Sequence, residues 1–175
     1  LVGVEKVRTA SRASFINTIS GTDLIIGART GGVQLLLYSV FHIGDATSNI
    51  TWKTVGDIKK RREVKWLVPI ALGDSHKGYR VVGTSKDYFK YFKYRRNIPI
   101  QVKEGKVFND LFDAVLGAEV AKNLNYKIGN KIVLAHGTGP VSLGKDHGDT
   151  PFRISGILAP TNTPIDKAVH VSMEA

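Results

Sequence analysis

Four side chains in the C-terminal third of the chain could bind a metal ion. His136, Asp146, His147 and Asp149 lie within one short segment, and imidazole and carboxylate groups are ligands that zinc and similar ions accept. A metal-bound water at such a site would give a hydrolase. However, the spacing matches no recognised metal motif, and the glycine-rich segment His136–Pro151 is explained more simply as a polar loop. A metal-dependent hydrolase that uses the His136–His147 loop therefore stays an alternative function.

Two other passages have the composition of a catalytic motif without its geometry. The run from Gly139 to Lys145 contains the G-x-x-x-x-G-K core of a phosphate-binding loop, but Asp146 replaces the Mg²⁺-binding Ser or Thr. Gly73-Asp-Ser-His76 places Asp, Ser and His side by side in a predicted turn, where they cannot form a triad. The chain has no cysteine. The sequence thus predicts no catalytic residue, no cofactor and no resident metal.

The charge of the chain indicates an anionic partner. Lys and Arg number 25 against 15 Asp and Glu, a formal net charge of +10, which favours nucleic acid, anionic lipid or an acidic protein surface. Phe89–Arg96 alternates aromatic and basic residues, as single-stranded nucleic-acid binders do, and Lys59–Arg62 is a basic run. A basic nucleic-acid-binding module is therefore a second alternative, although Tyr88, Phe89 and Phe92 have the helical spacing of a buried face.

Hydrophobic periodicity predicts a mixed α+β fold. The expected helices are Leu1–Ile19, Val33–Ile43, Trp52–Val64 (with Trp52, Val55 and Ile58 inward), Lys86–Lys93 and Ala118–Leu124. The expected strands are Thr22–Arg29, Trp66–Leu72, Tyr79–Thr84, Ala114–Leu116, Lys131–Ala135, Phe152–Leu158 and Ala168–Ser172. Val33–Ile43 is the most apolar of these elements, and it is too short for the roughly 20 residues of a membrane span. We therefore expect it to be a buried helix.

Five passages in a fixed order carry a resemblance to a known family. They are Val81–Phe89, Glu104–Phe108, Ala114–Leu124, Ile128–Ile132 and Phe152–Leu158. Together they resemble the extracytoplasmic, or periplasmic core, domain of MacB-like and FtsX-like ABC transporter permeases. The passage Thr22–Gly31 is also typical of one bacterial branch of that family.

The resemblance implies a domain organisation. It implies a juxtamembrane stalk helix over residues 1–21 and a porter-like subdomain over 22–84. A sabre-like subdomain over 85–158 would be inserted before the porter-like return strand at 159–175. The flanking chain would continue into transmembrane helices.

The resemblance also implies a function without catalysis. The domain would face the periplasm at the bacterial inner membrane and relay conformational change from cytoplasmic ATP hydrolysis to substrate export or extraction. Implied partners are an ABC ATPase, carried by a separate subunit or domain, a second permease copy and a periplasmic adaptor protein. Nucleic acid is not among them.

Overall fold

The computed structural model describes residues 18–45, 48–136 and 151–175. The predicted stalk helix Leu1–Ile19 lies almost wholly outside these residues. So do Asp146, His147, Asp149 and the G-x-x-x-x-G-K segment.

The helices are short and occupy four of the predicted places. They are α1 (Gly32–Phe41), α2 (Trp52–Lys59), α3 (Lys86–Tyr91) and α4 (Ala118–Asn123), and a 3₁₀ turn spans Pro164–Lys167. Thr51 begins α2, and its hydroxyl accepts a hydrogen bond from the Thr54 N–H at 3.2 Å, as a helix N-cap should. Ser85 stands before α3 as predicted, but its side chain makes no capping bond.

Ten strands form the β structure of the described residues. They are β1 (Ile70–His76), β2 (Tyr79–Thr84), β3 (Lys93–Tyr94), β4 (Ile98–Pro99), β5 (Val102–Gly105), β6 (Asp113–Leu116), β7 (Lys131–Ile132), β8 (Ala135–His136), β9 (Phe152–Leu158) and β10 (Ala168–Ser172). The predicted bounds of β2, β9 and β10 are confirmed. Lys77 and Gly78 connect β1 to β2 with φ angles of 48° and 84°, the left-handed conformations of a tight hairpin turn.

One eight-stranded mixed sheet organises the described chain. Its order is β5-β9-β6-β10-β2-β1-β8, with β7 paired to β9, and β3 pairs separately with β4. The last strand, β10, lies inside the sheet, parallel to β2 and antiparallel to β6. The α+β class is therefore confirmed. The predicted subdomain boundaries stay a prediction.

The core lies on the two faces of this sheet. Strand β6 is buried along its whole length. One cluster joins β6, β9 and β10 to the buried face of α4, where Val120 and Ala121 pack. The other cluster collects the aromatic side chains of α3 with Phe108, Leu158 and Ile165. Burial of these apolar side chains is the main stabilising contribution to the fold.

Several predictions about local structure are wrong. No strand forms over 22–29, which is irregular. Helix α1 forms where expected, but among its residues only Val40 is buried. Trp52 was expected to face inward and is 61% exposed. The expected turn at Gly73–Gly78 shrinks to two residues, because β1 continues to His76 and pairs with β8.

Candidate functional surface

Helix α1 is apolar and yet faces outward. Val33 is 73% exposed, and Leu36 and Leu37 are 36% and 38% exposed. The stretch from Thr30 to Gly44 contains no Asp, Glu, Lys or Arg. A helix that is apolar on all sides normally lies in a protein interior or a membrane, so the described residues alone do not account for the exposure of α1.

The irregular segment before α1 adds to the same surface. Leu24 and Ile26 are 72% and 48% exposed, and Gly27 lies so close to Leu35 that a Cβ atom there would collide with the Leu35 side chain. The segment therefore runs along α1, and we call Leu24, Ile26, Val33, Leu36 and Leu37 the α1 patch.

A tyrosine fixes α1 to the sheet. The Tyr38 hydroxyl donates to the Leu72 carbonyl at 2.8 Å and accepts from the Leu72 N–H at 3.0 Å. One side chain thus satisfies both backbone groups of a residue in β1. An α-helix of ten residues is marginally stable alone. Because few side chains of α1 are buried, this pair of hydrogen bonds is what holds α1 in position.

A second attachment lies at the end of α1, where His42 takes a left-handed conformation (φ 56°). Its ring is buried, and burial, together with the positive charge of Arg80, lowers the pKa of His42 to about 4. Inside the sheet, His170 of β10 is wholly buried, and its Nδ1 lies 3.2 Å from the Val115 carbonyl oxygen. Burial, then the proximity of His42, lowers the pKa of His170 to about 3. Both imidazoles are therefore neutral at pH 7.

Four buried polar side-chain atoms have no hydrogen-bond partner within the described residues, and two of them belong to these histidines. They are His42 Nδ1, His170 Nε2, the Tyr88 hydroxyl and the Ser85 hydroxyl. The Tyr88 and His170 rings are in contact, with 5.3 Å between their centroids and a tilt of 34° between their planes. Unpaired buried groups of this kind are costly, so the contact between α1, α3 and β10 is a weak point of the fold.

A groove of about 560 Å³ opens beside Tyr38. Its walls come from the sheet, including Leu72, Val81, Phe152 and Val171. Since Tyr38 belongs to both, the groove and α1 share an edge.

The Asp-Ser-His series at residues 74–76 has a structural role. His76 lies in β1, with Nδ1 2.7 Å from the Val133 carbonyl oxygen and Nε2 2.9 Å from the Tyr126 hydroxyl. Burial has the largest influence on the pKa of His76, and it lowers that pKa below its usual value. Its ring thereby joins β1 to the segment around β7.

The aromatic–basic passage divides as its helical spacing predicts. Tyr88, Phe89 and Phe92 are buried, whereas Lys90, Arg95 and Arg96 are exposed. The rings are therefore not free to stack on nucleic-acid bases, which removes the main observation behind that alternative. The basic run Lys59–Arg62 is exposed.

Only one of the four candidate metal ligands falls within the described residues. His136 ends β8, while Asp146, His147 and Asp149 lie outside the described residues. Among the residues that the structure does describe, no group of three or more His, Cys, Asp or Glu side chains could hold a metal ion.

A family model described as the MacB-like periplasmic core domain matches residues 5–175. The chain belongs to this family. The MacB-like domain is the periplasmic part of an ABC transporter permease and is generally non-catalytic. Membership also implies an ATPase partner, dimerisation and a place at the inner membrane. No curated protein matches the chain. Among the described residues, no helix has the length and apolar character needed to cross a bilayer.

Sequence reasoning missed the residues that position the surface of this MacB-like domain. Tyr38 looked like one more apolar residue of α1, and His42 and His170 carried no motif. The one available signal was the phenol group of Tyr38, because a half-buried Tyr usually finds a partner for its O–H group.

Proposed function

We propose that this domain relays conformational change from cytoplasmic ATP hydrolysis to the export or extraction of a substrate at the outer face of the inner membrane. The family match over residues 5–175 is the observation that carries this proposal. The chemistry would take place in the ATPase, in a separate subunit or domain, and the work of this domain would be mechanical.

The sheet supports a mechanical role. Strand β10 is bonded on one side to β2 and on the other to β6, so a displacement of β10 acts on strands from both predicted subdomains. Close-packed interiors transmit strain with little compression. A displacement of residues 159–175 would therefore move the whole sheet instead of deforming only these residues.

The finer organisation belongs to the same proposal. Residues 1–21 would be the stalk that continues a transmembrane helix, and residues 22–84 with 159–175 would form the porter-like part. Residues 85–158 would form the sabre-like part and offer a surface to a periplasmic adaptor. Rigid parts that shift about a few hinge residues are a common form of such coupling.

The test measures distances between two copies in the full-length permease with its ATPase. Spin labels at Lys103→Cys in β5, an exposed site, report the separation of the two domains. We expect the distance distribution to shift when ATP binds to a hydrolysis-deficient ATPase. As a control, an ATPase variant that cannot bind ATP should leave the distribution unchanged. Identical distributions in all nucleotide states would contradict the relay.

A further inference from the structure

We propose that Arg95 and Arg96, at the tip of the β3–β4 hairpin, form a docking point for an acidic polypeptide surface of a periplasmic partner protein, whose carboxylates pair with the two guanidinium groups. We call these two residues the arginine tip. The inference goes beyond the relay, because it concerns what binds to the hairpin and holds whether or not the domain moves. It depends on the charge, the backbone conformation and the bracing of the hairpin.

The charge around the arginine tip has a single sign. From Lys90 to Lys103 the sequence carries five Lys or Arg and no Asp or Glu. Arg95 and Arg96 are exposed, and neither forms an ion pair with a carboxylate of the described residues. The described part of the chain therefore leaves both guanidinium groups without a counter-charge, and an anionic surface would supply one.

The backbone of the tip is strained. Arg95, Arg96 and Asn97 have φ angles of 34°, 32° and 69°, in the left-handed half of conformational space that residues with a Cβ atom rarely adopt. Three such residues in a row cost stability, and strain of this kind persists where the surrounding structure enforces it, most often at functional sites. A turn that served only to connect two strands would be less costly with glycine. The strain therefore points to a role for these side chains.

Contacts at the base of the hairpin enforce this conformation. The Ser20 hydroxyl donates a hydrogen bond to Asn97 Oδ1 at 3.0 Å and accepts one from the Asn97 N–H at 3.1 Å. The Ser20 N–H donates to the Lys93 carbonyl at 2.8 Å. Tyr94, in the strand that leads to the tip, is buried. Because the backbone of both arginines is fixed before a partner arrives, less conformational entropy is lost on binding.

The chemistry of the tip favours a polypeptide over lipid and nucleic acid. Guanidinium is a planar donor that can pair with a carboxylate through two parallel hydrogen bonds. Lipid binding would also need several apolar or aromatic side chains that enter the bilayer, and Ile98 is the one large apolar side chain that the described hairpin exposes. Single-stranded nucleic acid needs exposed rings, and those of Phe92 and Tyr94 are buried. Acidic side chains of a protein therefore fit the tip best.

Binding of a fluorescent glutamate homopeptide to the full-length permease in phosphatidylcholine nanodiscs tests this inference. The first variant combines Arg95→Gln with Arg96→Gln. Its matched control combines Arg61→Gln with Arg62→Gln, which removes two arginines that are also exposed, from the basic run after α2. We expect the Kd of the peptide to rise about tenfold in the first variant and less than about twofold in the control. Equal weakening by both pairs would show that net charge alone attracts the peptide, and it would overturn the inference.

Two further variants separate the guanidinium groups and their positioning from charge. Arg95→Lys combined with Arg96→Lys keeps the charge and loses the forked donor, so we expect the Kd to rise about threefold. Ser20→Ala removes both hydrogen bonds to Asn97 and no charge, and it should raise the Kd by a similar factor, because the tip is then less well ordered before binding. If neither variant changes the Kd, the tip is not a preformed docking point and the inference fails.

Other ligands decide the class of partner. Phosphatidylglycerol vesicles and a single-stranded oligonucleotide are titrated against the same variants. If substitution of Arg95 and Arg96 weakens the binding of either one and leaves that of the peptide unchanged, the partner is a lipid or a nucleic acid and the inference is overturned. These results leave the relay standing, because the relay is tested by distances that change with ATP.

Discussion

Helices α1 and α3 both carry large apolar side chains, but only α3 buries most of them. Both were expected to bury their apolar residues. In α3, Tyr88 is fully buried and Phe89 is 9% exposed, and their rings contact His170. In α1, by contrast, Val33 is 73% exposed and only Val40 is buried. Helix α3 lies over the sheet, whereas α1 is held at the β1 side of it by a hydroxyl group.

The difference teaches that apolar periodicity predicts a helix without specifying what covers it. The apolar face of α3 is used within the domain and stabilises it. Among the described residues, most of the apolar side chains of α1 are exposed, so they contribute little to the stability of the domain. Substitutions in α3 should therefore lower the stability of the domain more than substitutions in α1.

The largest expected loss of stability comes from a substitution in α3. Phe89→Ala removes a ring that packs at 5.5 Å from Phe108 and 5.7 Å from His170, and it should lower the free energy of unfolding by about 3–5 kcal/mol. Urea unfolding of the domain measures this. Phe89→Leu is the matched control, with a smaller loss. A loss below about 1 kcal/mol for Phe89→Ala would mean that α3 is no more a core element than α1.

The next largest loss of stability is expected when the histidines between α1, α3 and β10 become protonated. The folded-state pKa values of His42 and His170, about 4 and about 3, lie below the unfolded value near 6.5. The unfolded chain therefore binds more protons, and stability is present above pH 6.5 and is lost as the pH falls toward 4. Each histidine should lower the free energy of unfolding by roughly 2 kcal/mol as the pH falls from 7 to 5.

A variant isolates this pH dependence from that of the carboxylates. His42→Asn keeps a side chain that tolerates the left-handed conformation and removes one of the two titrating rings, as well as the Coulombic effect on the other. Unfolding of the variant should therefore show about half of the loss of the parent chain between pH 7 and pH 5. An unchanged pH dependence would show that His42 is not buried as a neutral ring.

A smaller effect is expected from the attachment of α1. Tyr38→Phe removes both hydrogen bonds to Leu72 and leaves its backbone groups without this partner, at a cost of about 1–2 kcal/mol. Amide hydrogen exchange should become faster across α1 while β6 keeps its protection. If exchange in α1 does not change, the attachment depends on apolar contacts and not on the hydroxyl.

The smallest effect completes the comparison. Leu36→Ala on the exposed face of α1 should change the unfolding free energy of the isolated domain by less than about 0.5 kcal/mol. A stability loss as large as that of Phe89→Ala would show that the α1 face is covered within one chain.

Much of the fold was predictable from local patterns. The bounds of β2, β9 and β10 followed from short apolar runs separated by turn residues such as Gly78 and Pro160, and the inward face of α3 followed from its spacing. The irregular course of 22–29 was not predictable, because its apolar residues have the composition of a strand but find no partner strand in the described structure. The site was less predictable than the fold, since the attachments by Tyr38 and His42 depend on residues far apart in the sequence.

The amino-acid sequence by itself determined the α+β class, the positions of most elements and, through five ordered motifs, the family. These features depend on local propensity and residue order, which a sequence states directly. Only the tertiary structure decided that β10 lies between β2 and β6 and that α1 is exposed. It also decided that His42 and His170 are both buried and lie near each other. Each of these depends on long-range pairing and burial, and the same apolar helix is equally compatible with a core and with a contact surface.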